Sequence, residues 1–245
     1  MSARLAQPAR AKAAGGQRIA LFGGTFDPIH LGHLAVAQAA LRAFRLDRVI
    51  FIPSAHPPHK PLSELLPYEH RFAMVALACA GHRRFVPSLA ECADGAGPTA
   101  FYSVDTVRRF RNEFNASGDR LYFIVGADSF LQIATWKDYR TLLGLCDFVV
   151  ASRPGFRTDA LRQAIPPELL AQSPRVATRS AHRKGLRGLR SIALRDTTVY
   201  LLDTVSSRVS ATDVRRRLDR GKSVRGLVPP NVEEYIYKQA VYRPQ

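Results

Sequence analysis

Two histidines, His30 and His33, follow the segment Phe22-Gly23-Gly24-Thr25-Phe26-Asp27-Pro28-Ile29. An imidazole can donate a hydrogen bond to a phosphate oxygen, and two of them three residues apart on a helix beginning near His30 can serve one anion together. The glycines let a backbone approach a ligand and tolerate positive φ. The helix start adds unpaired amides and the positive end of its dipole. The segment therefore reads as a cradle for a polyphosphate. A second anion site is suggested late in the chain, where Ser210-Ala211-Thr212-Asp213 forms a capping box with Ser210 as N-cap, and Arg215 follows. Hydroxyls, amides and a guanidinium there suit outer phosphates; helix capping by Ser210 is the plainer reading and does not exclude phosphate binding.

These groups need strands and helices to hold them. Ile19 to Phe22 reads as a buried strand and Leu31 to Phe44 as a helix with apolar residues at helical spacing. Arg48 to Pro53 is a second strand. Ser54 to Pro67, with four prolines and two of the seven histidines, reads as a loop. Tyr68 to Ala80 is a helix, Phe85 to Leu89 a short strand, Ser103 to Phe114 a helix, and Leu121 to Val125 a strongly apolar strand that ends at Gly126 and Asp128. Cys146 to Ala151 and Thr198 to Leu202 are further strands, and Asn231 to Ala240 a closing helix. Strands alternating with helices predict an α/β fold: a doubly wound, Rossmann-like, mostly parallel sheet with helices on both faces and a small C-terminal helical segment. Ligands of such sheets bind beyond the carboxyl ends of the strands where strand order reverses, the place the first glycine loop would occupy. The predicted organisation is a disordered tail over 1–17, an α/β domain over 18–204 with a basic insertion at 172–195, and a helical segment over 205–245.

The chain has 245 residues and a net charge of +16, with 46% hydrophobic residues. That length suits one sizeable α/β domain. No apolar run approaches the roughly 18 residues needed to cross a bilayer, so no membrane role is expected. Much of the charge is local. Arg4, Arg10, Lys12 and Arg18 lie in an acid-free leader, and Arg175, Arg179, Arg183, Lys184, Arg187, Arg190 and Arg195 in an acid-free stretch. Neither interleaves aromatic residues with its charges, so a solvated tail and insertion is favoured over a nucleic-acid surface. Cys79, Cys92 and Cys146 are scattered and without metal-ligand spacing, which predicts buried, reduced thiols and a cytoplasmic protein.

The segment G-G-T-F-D-P-I-H-L-G-H resembles the H-x-G-H signature of the nucleotidyltransferase superfamily. Within it the chain is similar to the bacterial nicotinate-nucleotide adenylyltransferases over about residues 18–160 and 197–240. The other matching segments are P-S-A-H-P-P-H-K at 53–60, Y-S-V-D-T-V at 102–107, I-V-G-A-D-S at 124–129, Trp136, R-P-G at 153–155 and V-S-A-T-D-V-R at 209–215. The resemblance implies transfer of AMP from ATP to nicotinate mononucleotide. It implies an ATP site of Gly23, Gly24, Thr25, His30, His33, Gly126, Asp128, Ser210, Thr212 and Arg215, with His30, His33 and Arg215 catalytic. It implies a mononucleotide site of Thr25, Lys60, Tyr102, Ser103, Asp105, Trp136 and Arg153. Mg²⁺ is expected on ATP, held by phosphates and water, with no protein metal ligands. Read alone, Trp136 could equally be a core residue, Asp128 a helix cap and Lys60 a solvated lysine. Many members carry Ser-Ser-Thr where this chain has Ser210-Ala211-Thr212, which removes one hydroxyl. The alternatives are a nicotinamide-preferring enzyme, another H-x-G-H adenylyltransferase such as one acting on phosphopantetheine, or an added RNA-binding role for the basic segments.

Overall fold

The computed structural model describes residues 16–55, 57, 62–92, 101–152, 156–171, 189–203 and 209–242. The strands are β1 (Arg18–Gly24), β2 (Arg48–Pro53), β3 (Phe85–Pro87), β4 (Arg120–Gly126), β5 (Asp147–Ala151), β6 (Ser191–Ala193) and β7 (Thr198–Leu202). The helices are α1 (Leu31–Phe44), α2 (Tyr68–Ala80), α3 (Ser103–Glu113), α4 (Ala127–Leu131), α5 (Tyr139–Leu145), α6 (Thr158–Gln163), α7 (Ala211–Asp219) and α8 (Pro230–Lys238). One seven-stranded sheet runs β3-β2-β1-β4-β5-β7-β6, parallel throughout except that β6 opposes β7. The expected doubly wound α/β fold is thus present. Strand order reverses beside β1, so the ends of β1 and β4 open a crevice between them.

Alternation along the strands divides the core. Ala20, Phe22, Phe51, Tyr122 and Ile124 pack beneath α1, α2 and the late helices, while Ile19, Leu21, Ile50, Phe123 and Val125 pack against α3 to α6. Both faces are covered, which is why β1 and β4 read as continuous apolar runs. The late helices share the first of these clusters through Val214, Leu218, Val232 and Ile236.

The basic stretch expected to be an insertion over 172–195 needs correction at its end. Ser191–Ala193 is an edge strand with Ile192 buried beneath it, and Leu194 is buried beside it. Three residues are too few to show alternation in a sequence. Residues 172–188 lie outside the described residues, as do 1–15 of the leader. Likewise α4, α5 and α6, of five to seven residues, are shorter than the window in which helical periodicity is visible. Cys79 and Cys146 are buried free thiols, with burial pushing Cys79 up to about 12, whereas Cys92 is only half-buried. Among the described residues no helix is long and apolar enough to cross a membrane.

One side chain ties the crevice together. Arg71 of α2 is 1% exposed. Its Nε donates to the carbonyl of Leu66 at 2.9 Å, its Nη1 to those of Thr25 and Ser54 at 2.8 and 2.7 Å, and its Nη2 to that of Ala55 at 3.3 Å. Thr25 and Ser54 directly follow β1 and β2, where carbonyls run out of sheet partners. The guanidinium fork supplies donors to both at once. Replacing Arg71 with Met leaves these acceptors without their donors, each loss costing about 1–3 kcal/mol where water cannot substitute. We expect Arg71→Met to lower stability by about 3 kcal/mol or more in urea unfolding, with the denaturant slope unchanged. A loss under about 1 kcal/mol would mean that water replaces the guanidinium.

Candidate functional site

A cavity of about 390 Å³ opens at the carboxyl ends of β1, β2 and β4. Its walls include Gly23, Gly24, Thr25, Ser54, Glu91, Tyr102, Ser103, Thr106, Gly126, Ser129, Gln132, Trp136 and Lys137. That volume suits a small organic molecule. Trp136 is half-buried and meets Phe123 edge-on, with ring centroids 6.3 Å apart, so it belongs both to the core's margin and to the cavity wall.

Gly23 and Gly24 are the last two residues of β1, not part of a loop, and neither has positive φ. What they provide is space. A Cβ on Gly24 would come within 3.1 Å of the Phe26 ring, and one on Gly23 within 3.2 Å of Phe123. The residue with positive φ in this turn is Phe26, whose ring is buried.

Beyond Phe26 the chain reaches His30, the N-cap of α1. The rings of His30 and His33 stack with centroids 3.7 Å apart. His33 Nδ1 accepts the His30 backbone amide at 3.2 Å. That bond places the proton of neutral His33 on Nε2, which leaves an N–H to donate to a ligand. Phe26 meets the His33 ring edge-on at 5.0 Å and fixes its plane. His30 Nδ1 is buried without a hydrogen-bond partner. Burial lowers the His30 pKa to about 4; it also lowers His33 well below its ordinary value, helped by repulsion from His30. Both rings are therefore neutral donors in the free protein at pH 7.

The late helix supplies the third part. Ser210 caps α7, its Oγ accepting the Asp213 amide at 3.1 Å and donating to the Asp213 carboxylate at 2.7 Å. Thr212 is exposed on the first turn. Arg215 is not free: its Nη1 donates to the Asp27 carbonyl at 2.6 Å and lies 3.8 Å from Asp27 Oδ2. The histidines, Ser210, Thr212 and Arg215 are not in the wall of the cavity. They lie across the Gly24–Asp27 segment from it, joined to it by Phe26 and by the Arg215–Asp27 contact.

Two expected site residues need correction or qualification. Asp105 faces outward from α3, where it pairs with Arg108 at 3.1 Å and Lys137 at 3.4 Å. The inward positions of that helix fall at Ser103 and Thr106, as its 3.6-residue period requires. Asp128 is exposed on the first turn of α4, outside the cavity wall, although Gly126 lines it. Lys60 and Arg153 lie outside the described residues.

Among the wall residues that sequence reasoning missed are Thr106, Lys137 and Glu91. Thr106 required the helix register. Lys137 directly follows Trp136, and its Nζ sits 4.0 Å from the Tyr102 ring centroid. Glu91 is 7% exposed and accepts Thr106 Oγ1 at 2.8 Å. Burial raises its pKa, and hydrogen bonds from Thr106, Ser54 and Ala55 partly offset this. Nothing near Glu91 in the sequence distinguishes it from a surface acid.

Comparisons with known proteins add the relatives. The cytidylyltransferase-like family matches residues 21–217. A probable nicotinate-nucleotide adenylyltransferase of Geobacter sulfurreducens is 41% identical over 224 residues, covering 91% of this chain and 96% of that one. A protein of the same description from Moorella thermoacetica is 39% identical over 228 residues, covering 93% of each. Among solved structures, Plasmodium falciparum nicotinic acid mononucleotide adenylyltransferase complexed with NaAD superposes with a TM-score of 0.65 over 92% of this chain and 97% of that one. At 15% identity that likeness speaks for the fold.

The histidine pair predicts a pH dependence. Its folded-state pKa values lie below the unfolded value near 6.5, so the unfolded chain binds more protons and stability falls as pH drops from about 6.5 toward 4. Glu91, with its pKa raised, acts in the opposite sense. The thermal midpoint of the wild type should therefore fall between pH 6.5 and 5.5, and a His30→Asn/His33→Asn variant should show a flatter profile. Parallel profiles would mean that the rings take up protons in the folded protein at the same pH as in the unfolded chain.

Proposed function

The chain belongs to the nicotinate-nucleotide adenylyltransferase family, and from that premise we propose how its own residues carry the reaction. An oxygen of the 5′-phosphate of nicotinate mononucleotide attacks the α-phosphorus of ATP. The new P–O–P bond forms as the α–β bridging bond breaks, and its electron pair leaves with pyrophosphate. The attacking phosphate is already anionic near neutral pH, so no side chain has to remove a proton. Catalysis of this kind is positioning and charge stabilisation.

The observation that supports this reading best is the placement of the Gly23–Thr25 strand end between the Trp136 cavity and the stacked histidines. In this reading the mononucleotide occupies the cavity, with its ring on Trp136 and beside Tyr102 and Ser103. Gly24 and Thr25 direct backbone amides to the reacting phosphates. His33 Nε2–H and the His30 ring donate to the α-phosphate and the departing pyrophosphate. Ser210, Thr212 and Arg215 hold the outer phosphates at the start of α7. Gly126 and Asp128 serve the ATP ribose. Mg²⁺ enters with ATP as part of the substrate, held by phosphates and water; it neutralises charge on the polyphosphate.

Neutral histidines suit this task. They cost less to keep buried than imidazolium ions, and an arriving polyphosphate raises their proton affinity as charge develops. Replacing His33 with Ala is expected to cut kcat by about two orders of magnitude or more, as for loss of an electrostatic stabiliser, with the circular dichroism spectrum unchanged. Turnover within threefold of wild type would remove His33 from the reaction.

For the nicotinate carboxylate, the candidate partner among the described residues is Lys137. Lys137 lines the cavity with Trp136, and its ammonium is held by the Tyr102 ring and Asp105. Incubation with MgATP and each mononucleotide, with pyrophosphate detected, tests both the reaction and its preference. The wild type should favour nicotinate over nicotinamide mononucleotide by well over tenfold in kcat/KM, and Lys137→Met should narrow that ratio. A wild-type ratio near one would sink the preference and leave the enzyme class standing; no pyrophosphate with either substrate would overturn the class.

A further inference from the structure

Asp27 lies three residues before His30, in the turn between the cavity and the histidine pair. It is 2% exposed. Three distant groups converge on it. Arg215 of α7 donates to its carbonyl and faces its Oδ2 at 3.8 Å. Arg71 also attracts it electrostatically. The Tyr242 hydroxyl, from the segment after α8, donates to Oδ1 at 2.5 Å. Oδ2 has no hydrogen-bond partner. Thus the carboxylate has one oxygen occupied by a phenol, and the other aimed at the arginine assigned to the triphosphate.

Tyr242 is held there by the fold. Its φ is 63°, in the left-handed region that a tyrosine rarely adopts. The neighbouring Val241 is buried in the same core cluster as Val232 and Ile236. Tyr242 itself packs on that cluster. A residue kept in so uncommon a backbone conformation, with its hydroxyl on a buried acid, is over-determined by its surroundings.

We propose that Tyr242 is a positioning residue for adenylyl transfer, acting through Asp27 to set the orientation of Arg215. With Oδ1 occupied by the phenol, Asp27 offers Arg215 only its carbonyl and one distant oxygen. The guanidinium then keeps donors for phosphate. Without the phenol, both carboxylate oxygens are open, and a bidentate pair with Arg215 becomes the favoured arrangement. That pair withdraws the guanidinium from the triphosphate. This rests on the adenylyltransferase reading above and adds to it a residue outside the matched motifs.

The test is Tyr242→Phe, which keeps the ring and deletes only the hydroxyl. The full-length variant should bind α,β-methylene-ATP about 5- to 20-fold more weakly by calorimetry, and its KM for ATP should rise by a similar factor. KM for nicotinate mononucleotide should stay within twofold and the thermal midpoint within about 3 °C. In an Arg215→Lys background the same substitution should have little further effect, because the lysine cannot form the bidentate pair. An unchanged affinity, equal losses for both substrates, or full additivity with Arg215→Lys would overturn the proposal. A wild type that neither binds the analogue nor forms pyrophosphate would instead overturn the adenylyltransferase reading, and the role of Tyr242 with it.

Discussion

The Arg71 guanidinium is the constraint on which the rest of the site depends. Parallel strands leave their last carbonyls without partners, and at the point where strand order reverses no neighbouring strand supplies them. A buried arginine with five fixed donors satisfies the carbonyls that follow both β1 and β2. The Ser54 amide then closes on the Gly24 carbonyl at 2.9 Å. Two connections that would otherwise drift become one lip, with the Trp136 cavity on one side and Phe26 leading to the histidines on the other. Glu91 grips the same Ser54–Ala55 segment and joins it to α3, so both walls of the cavity share one hydrogen-bonded frame.

His33, Ser210 and Arg215 each spend one atom on the protein, whereas His30 Nδ1 is buried without a partner. His33 spends Nδ1 on a backbone amide and keeps Nε2–H. Ser210 uses its Oγ on the Asp213 amide, which caps α7. Arg215 uses one nitrogen on the Asp27 carbonyl. Burial lowers the proton affinity of both histidines, so the free pair carries little charge near neutral pH. A positioning site of this kind needs accuracy more than reactive side chains. This accounts for the dense packing around Phe26: the ring occupies the space that Gly24 leaves open and sets the plane of His33.

Parts of this arrangement are local and could be read directly. The histidines at the start of α1, the cap at Ser210 and the alternation of strand and helix each depend on residues within a few positions of one another. Apolar periodicity therefore located β1, α1, α2 and β4 to within a residue or two, and the motifs named the family. The cavity wall was only half legible. Tyr102, Ser103 and Trp136 belong to recognisable segments, whereas Asp105, in the same segment, turned outward because helix register decides which face a residue takes.

What the sequence by itself determined was the family, the doubly wound sheet and the helix starts at His30 and Ser210, because these follow from local pattern. What only the tertiary structure decided was which buried polar groups hold them. Arg71 meets Thr25 across 46 positions, Arg215 meets Asp27 across 188, and Tyr242 meets Asp27 across 215. No local spacing carries those pairings. Folding brings the partners together because a buried carbonyl or carboxylate must find a donor, and the sheet topology determines which side chain is near enough to supply it.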